Sequence, residues 1–389
     1  MLIRQTTRPT IATLVSGAAL MCLSNIGQVE AKMPSPVQVA SRESAHCQAP
    51  QWSPDGKLLA IGVYNPKGES EAREAWVLRL DSSLTVTKEE QVLPLGSKRS
   101  RLSGQKMPPV IEFSWTPDME MLNPPYVFSS QGLHRKNFDI YADGSWITEA
   151  NSGNDGQPTF SPDSNYLAYT SQQRESGDIM MIDYTGDIEQ PIKLTDTPDT
   201  TEYLPQWHPK QAKLLFIRSQ KTRGQDIVVI EDVKNPKGST RDITDWKGDE
   251  IRPHWSPDGS LIAFYSNEKS KNDKVFDLWV IRADGSDAKL LAKDVIVDDH
   301  KGPAWSGDSE TIFFVTRDYE RSNPIMWVSA DGKKKGTVTS ETLINSDLDA
   351  YHAPDGTISL AYRSPGKKGS AKMTWQNIFV LRFKKSDLK

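Results

Sequence analysis

The sequence predicts an all-β chain, a seven-bladed β-propeller whose blades are four-stranded antiparallel sheets. Three observations carry that reading. A phrase built on an aromatic residue and a proline turn recurs along the chain, mostly at intervals of about 45–50 residues. Each copy is followed by short runs of β-branched and aromatic residues between polar turns, the pattern of strands and not of helices. Units of roughly 40–50 residues that hold four strands each are propeller blades.

The phrase reads Pro-Gln-Trp-Ser-Pro-Asp-Gly from Pro50 to Gly56, and it returns around Trp115, Phe160, Trp207, Trp255 and Trp305. A degenerate seventh copy runs from Tyr351 to Gly356, with His352 in the aromatic column. The aromatic residue ends a strand and offers a large surface to bury. Ser-Pro-Asp-Gly is turn chemistry: Pro presets φ, Asp bonds its own backbone, and Gly accepts positive φ. A second strand follows, as in Leu58–Val63, Leu214–Ile217 and Leu261–Tyr265. A third follows a polar loop, as in Ala75–Leu80, Asp226–Ile230 and Asp277–Ile281, and several third strands run into Asp-Gly hairpin signals such as Asp284-Gly285 and Asp331-Gly332. A more polar fourth strand closes the unit, as in Ile192–Thr195 and Lys289–Ala292. The last unit reaches only its third strand near Phe383, so residues 36–41 are expected to supply its missing outer strand and close the ring. Six blades is the alternative count, if the degenerate copy only decorates one end.

Composition narrows the class further. The chain has 389 residues, 37% of them hydrophobic and 25% charged, with a mean hydropathy of −0.56. Those values exclude a polytopic membrane protein and a disordered one. The net charge of −4 argues against nucleic acid as the main partner. Arg4 and Arg8 precede an apolar run from Ile11 to Leu23 and then Val29-Glu30-Ala31, the layout of a secretory signal peptide. The run is shorter than the ~20 residues that span a bilayer, so no membrane span is expected. Residues 1–31 are thus expected to be removed and 32–389 to form the propeller. Export implies an oxidising compartment, where Cys47 would remain as a lone thiol, expected to be buried as a small apolar residue.

The repeated phrases resemble the TolB-type β-propeller repeats, part of the wider WD-like group. The resemblance covers residues 50 to about 384. It implies a periplasmic location and a non-catalytic role, the binding of an envelope protein or peptide at a tunnel mouth. The α/β domain that precedes the propeller in TolB has no expected counterpart here, since residues 32–49 alone lie between the signal and the first blade. Related propellers with enzymatic activity include metal-dependent oligogalacturonate lyases, which supply the runner-up reading, a carbohydrate-active enzyme.

Candidate site residues come from the column five positions before each aromatic anchor. It reads Cys47, Val110, Asp155, Glu202, Glu250, His300 and Asp347. If the inner strands are in register, Asp155, Glu202, Glu250, His300 and Asp347 form a ring at one tunnel mouth, with Asp249, Asp298 and Asp299 beside it. Such a ring concentrates negative potential and suits a basic peptide or a cation. The same acids could instead cap backbone amides where blades meet. No metal or other cofactor is expected: His208, His254, His300 and His352 fall at different offsets from their anchors, which argues against one coplanar ligand ring, and His300 with Asp347 and Glu250 is the alternative that could hold a single cation. No zincin motif, Cys pair, Walker loop, dinucleotide fingerprint or Gly-x-Ser-x-Gly elbow occurs. Two basic clusters, Lys98–Arg101 with Lys106 and Lys333–Lys335 with Lys367, Lys368 and Lys372, read as solvated loops that could touch anionic envelope polymers weakly. At least five of the eleven tryptophans are spoken for as repeat anchors.

Overall fold

The computed structural model describes residues 33–66, 72–93, 109–131, 137–142, 145–148, 153–172, 176–186, 188, 190–270, 272–297, 301–317, 323–339, 344–365 and 375–389. The signal segment, His300 with Asp298 and Asp299, and the basic residues 98–106 and 367–372 lie outside them. The described chain forms seven four-stranded antiparallel sheets, the seven-bladed propeller expected from the repeats. In blades 1 to 6 the strands follow one another in sequence order. Their innermost strands are His46–Trp52, Val110–Trp115, Asn154–Phe160, Thr200–Trp207, Glu250–Trp255 and Ala304–Trp305. Blade 7 has Ser346–His352 innermost, then Thr357–Ser364 and Asn377–Lys384, with Val37–Ala40 as its outer strand.

The turn phrase does the same work in the four copies that carry its serine. In blade 1 the Ser53 hydroxyl donates to Asp55 Oδ1 at 2.7 Å and accepts from the Leu58 amide at 2.9 Å. Ser161, Ser256 and Ser306 repeat both bonds with their own Asp and the start of their second strand. Each turn is thereby closed by its own side chains, which stiffens the hairpin. The glycine of blade 5 has a further reason. Gly259 has φ +78°, and a Cβ there would overlap the His208 ring of blade 4. Only glycine meets both demands.

The apolar core is divided among the junctions between blades. Seven buried clusters each combine two adjacent blades. Between blades 4 and 5, for example, Ile217, Ile227 and Val229 pack with Trp255, Phe264 and Trp279. Each side chain of the size of Phe264 contributes on the order of 2 kcal/mol when buried. The aromatic anchors also staple blades through hydrogen bonds. The indoles of Trp115, Trp207 and Trp305 donate to the carbonyls of Gln51, Thr159 and His254 in the preceding blade, at 3.0–3.2 Å. His352 replaces tryptophan in blade 7 and bonds the Trp305 carbonyl through Nε2 at 2.9 Å. The degenerate seventh copy therefore fills the anchor role with different chemistry. Cys47 is fully buried at the junction of blades 7 and 1, and burial pushes its thiol up to about 11.

Candidate functional site

The innermost strands face a central cavity of about 730 Å³. What faces it is decided by a break in each strand. Proline carries no amide hydrogen and interrupts a ladder, so within a sheet it is found at an edge or a bulge. The phrase places Pro50, Pro158, Pro205 and Pro253 in innermost strands, and each lies inside a shift of pairing register. The residue just before each proline has positive φ: Ala49, Gln157, Leu204 and Arg252, at 47–55°. All four line the cavity. In blades 2 and 7, which lack that proline, the shift falls two residues or so earlier, at Val110–Glu112 and Ser346–Asp349.

A bulge leaves backbone amides without a ladder partner, and buried amides need one. Side chains of the preceding blade supply it. Glu112 Oε2 accepts from the Gln157 amide at 2.7 Å, and Gln157 Oε1 accepts from the Leu204 amide at 2.8 Å. Asp347 Oδ2 accepts from the Ala49 amide at 3.0 Å across the ring closure. Asp349 Oδ2 accepts from the Trp52 amide at 2.7 Å. These bonds run from blade to blade between the innermost strands.

The acidic column is placed deep in the blade junctions. Asp155, Glu202, Glu250 and Asp347 are each 0% exposed and none lines the cavity. They sit where one blade meets the next. The Asp155 and Glu202 amides donate to the Phe138 and Gly177 carbonyls of the preceding blade, at 2.7 and 2.8 Å. The Glu202 carboxylate accepts from Arg218 Nε at 2.9 Å and from the Thr197 hydroxyl at 3.0 Å. Asp347 also pairs with Arg363 Nε at 3.3 Å. Glu250 accepts from the Ser266 hydroxyl at 2.7 Å. Burial, reinforced by the nearby Asp226 carboxyl, pushes Glu250 up to about 8. The physical reason is the bulge: it turns the chain between this column and the next, so the residues two positions later face the cavity. His300 lies outside the described residues, as do Asp298 and Asp299.

The cavity wall has a different charge from the acidic column. Its described cations are Arg73 of blade 1, Arg252 of blade 5 and Lys301 just before blade 6, and its described carboxylate is Glu112. Glu112 is committed to the Ser129 hydroxyl, at 2.6 Å, and to the Gln157 amide, and burial raises its pKa. Lys301 Nζ is 3.7 Å from Asp349 Oδ1. Arg73 lies over the Tyr64 ring at 6.0 Å, and Tyr64 stacks on His46, whose edge meets Trp375. Val110, Phe113, Leu204 and Pro205 make the wall partly apolar. A sequence signal for the lining existed in the residue before each phrase proline. Arg73, at the start of a third strand, has no such signal.

Among the described residues no group of three or more His, Cys, Asp or Glu side chains is arranged to hold a metal ion. No helix among them is long and apolar enough to cross a membrane. Of the second basic cluster, Lys333 pairs with Asp331 at 3.1 Å and Lys335 begins the outer strand of blade 6.

No curated protein matches the sequence significantly. Among solved structures, an oligogalacturonate lyase in complex with manganese is similar at 12% identity and a TM-score of 0.59, over 91% of this chain and 96% of that one. Prolyl oligopeptidase B from Galerina marginata is similar at 12% identity and a TM-score of 0.53, over 82% of this chain. TolB from Acinetobacter baumannii is 19% identical with a TM-score of 0.49, over 74% of this chain. The chain spans 65% of that TolB and 47% of the oligopeptidase. These likenesses concern the fold. The family model for the TolB beta-propeller domain matches residues 105–347, more than half of the sequence, and the chain belongs to that family.

Proposed function

We propose that this protein is an exported, non-catalytic adaptor of the cell envelope that works in the periplasm by binding a protein or peptide ligand at its tunnel. The observation that carries this reading is the cavity itself. It falls in the size range of ligand pockets, roughly 300–1,000 Å³, and mixes apolar walls with a few fixed polar groups. Membership of the TolB beta-propeller family and the signal-like start of the sequence support it. In this reading Asp155, Glu202, Glu250 and Asp347 serve the mouth from behind. They hold the blade junctions from which the lining is displayed, and His300 is a direct contact. The basic segments at 98–106 and 367–372 add a weak attraction for anionic envelope polymers.

The test is an affinity capture from native envelope extract with the mature chain and with Gln206→Trp, which fills part of the cavity wall. A specific protein retained by the first and lost by the second, with both folded, is the expected result. A protein retained equally by both would move the site to the blade rims.

The cationic wall favours one second reading, an enzyme acting on an acidic sugar like the lyase of similar fold. Incubation with oligogalacturonate and Mn²⁺, followed by absorbance of unsaturated product, decides it. The adaptor reading expects no turnover.

A further inference from the structure

We propose that a recess between blades 1 and 2, branching sideways from the central cavity, binds a small monocarboxylate with an apolar body, of the fatty-acid type. This goes beyond the adaptor reading and does not depend on it. Blades 3 to 5 reach the cavity with residues of their innermost strands, such as Gln157, Leu204 and Arg252. Blade 1 also reaches it with Ala60 and Gly62 of its second strand and Ala75 of its third. Those residues stand on the face that blade 1 turns toward blade 2, since Ala60 and Ala75 pack in one cluster with Val110 and Phe113. The cavity therefore runs outward between these two blades.

The repeats show why it does so here. Three positions after the residue that pairs with each anchor, a second-strand residue stands opposite a third-strand one on the face toward the next blade. The pair is Ile217 with Ile227 in blade 4, Tyr265 with Leu278 in blade 5 and Val315 with Ile325 in blade 6. In blade 1 it is Gly62 with Ala75, the smallest pair of the seven. Ala60 likewise stands where blade 4 has Leu215 and blade 6 has Phe313. Protein interiors are close-packed, and side chains missing from a junction leave a void that costs stability. An apolar void of this kind takes an apolar guest in place of water. The next pair along the same face is Tyr64 with Arg73, and Arg73 is exposed, with its guanidinium over the Tyr64 ring. An apolar body in the recess would thus leave its end group beside a planar cation, which suits a carboxylate.

The test is isothermal titration with decanoate, hexanoate and decanol, each below the concentration at which it forms micelles. Decanoate should bind saturably, roughly tenfold or more tighter than hexanoate, because the longer chain buries more apolar surface. Gly62→Val should remove binding while the thermal midpoint holds or rises. A Cβ at position 62 meets first the flexible Gln48 side chain, at 3.3 Å, so the added methyl groups enter the recess with little backbone conflict. Gly62→Ala should weaken binding less. Arg73→Gln should bring decanoate down to the affinity of decanol, and Arg73→Lys should restore part of the difference. No saturable binding of decanoate, undiminished binding by Gly62→Val, a midpoint sharply lowered by Gly62→Ala, or equal affinity for decanoate and decanol in the unaltered chain would each overturn the proposal.

Discussion

Two rings of side chains stand two residues apart on the innermost strands, and they have opposite fates. The first ring, Asp155, Glu202, Glu250 and Asp347, is wholly buried between blades. The second, Ala49, Gln157, Leu204 and Arg252, lines the cavity. Strict strand alternation would put residues two apart on one face. The bulge breaks that rule locally, so a ring that organises the fold and a ring that can meet a ligand are stacked almost on top of each other. Charge alone does not say which is which. Carboxylates dominate the ring that no solvent reaches, and a cation stands in the ring that lines the cavity.

The comparison predicts its largest effect at Glu202. This carboxylate is fully buried and paired with Arg218, Thr197 and, through its amide, Gly177. Removing it leaves Arg218 with Asp242 as its remaining carboxylate and leaves the Thr197 hydroxyl without its acceptor, at a cost of about 1–3 kcal/mol. Glu202→Ala should therefore lower the thermal midpoint sharply, measured by calorimetry or circular dichroism. If the midpoint hardly moved, the first ring would not be the structural one.

Glu250 sharpens the same contrast through pH. Its folded-state pKa is about 8, above the ordinary 4.5 of a glutamate, because burial and Asp226 disfavour its charge. The folded protein thus binds a proton there that the unfolded chain has released between those values. Stability from this group is fully present below about pH 4.5 and is lost as pH rises through about 8, by on the order of a few kcal/mol in all. Glu250→Gln, neutral at every pH, should flatten the slope of stability against pH over that window. The measurement is the denaturant midpoint at several pH values, and an unchanged slope would assign the pH dependence to other groups.

The fold was legible in the sequence because its determinants are local and repeated. Ser-Pro-Asp-Gly closes the same turn wherever it occurs, and each tryptophan anchor ends a strand that the next blade must cover. Even the seventh blade was readable, since His352 occupies the anchor column with a ring nitrogen that can still reach the Trp305 carbonyl. The site was less legible. The acids of the first ring stand out in a sequence because they recur, yet recurrence reflected a junction shared by several blades. The lining residues differ from blade to blade, as Ala49, Gln157, Leu204 and Arg252 do, so no column of like chemistry announces them. The proline after each one was the available clue, because it forces the bulge that turns the preceding residue toward the cavity. Glu112 lay beyond even that clue. Its blade lacks the proline, and the register shift moved.

The smallest expected effect on stability falls on Arg252, and it completes the contrast. Arg252 belongs to the ring that lines the cavity, and truncation there opens no void in the junction cluster of Ile217, Trp255 and Phe264. Its bulge is held by Pro253 and by main-chain geometry that alanine can share with Ala49, which adopts the same positive φ in blade 1. Arg252→Ala should cost clearly less than Glu202→Ala, because Arg252 is half-buried at the cavity whereas Glu202 is fully buried between blades. Measured in one denaturant series, Glu202→Ala and Arg252→Ala should therefore differ several-fold in their cost, although they stand in neighbouring rings of adjacent blades. A loss of stability for Arg252→Ala as large as that for Glu202→Ala would mean that the guanidinium, too, is part of the frame, and the division between a ring buried at the blade junctions and a ring that lines the cavity would fail.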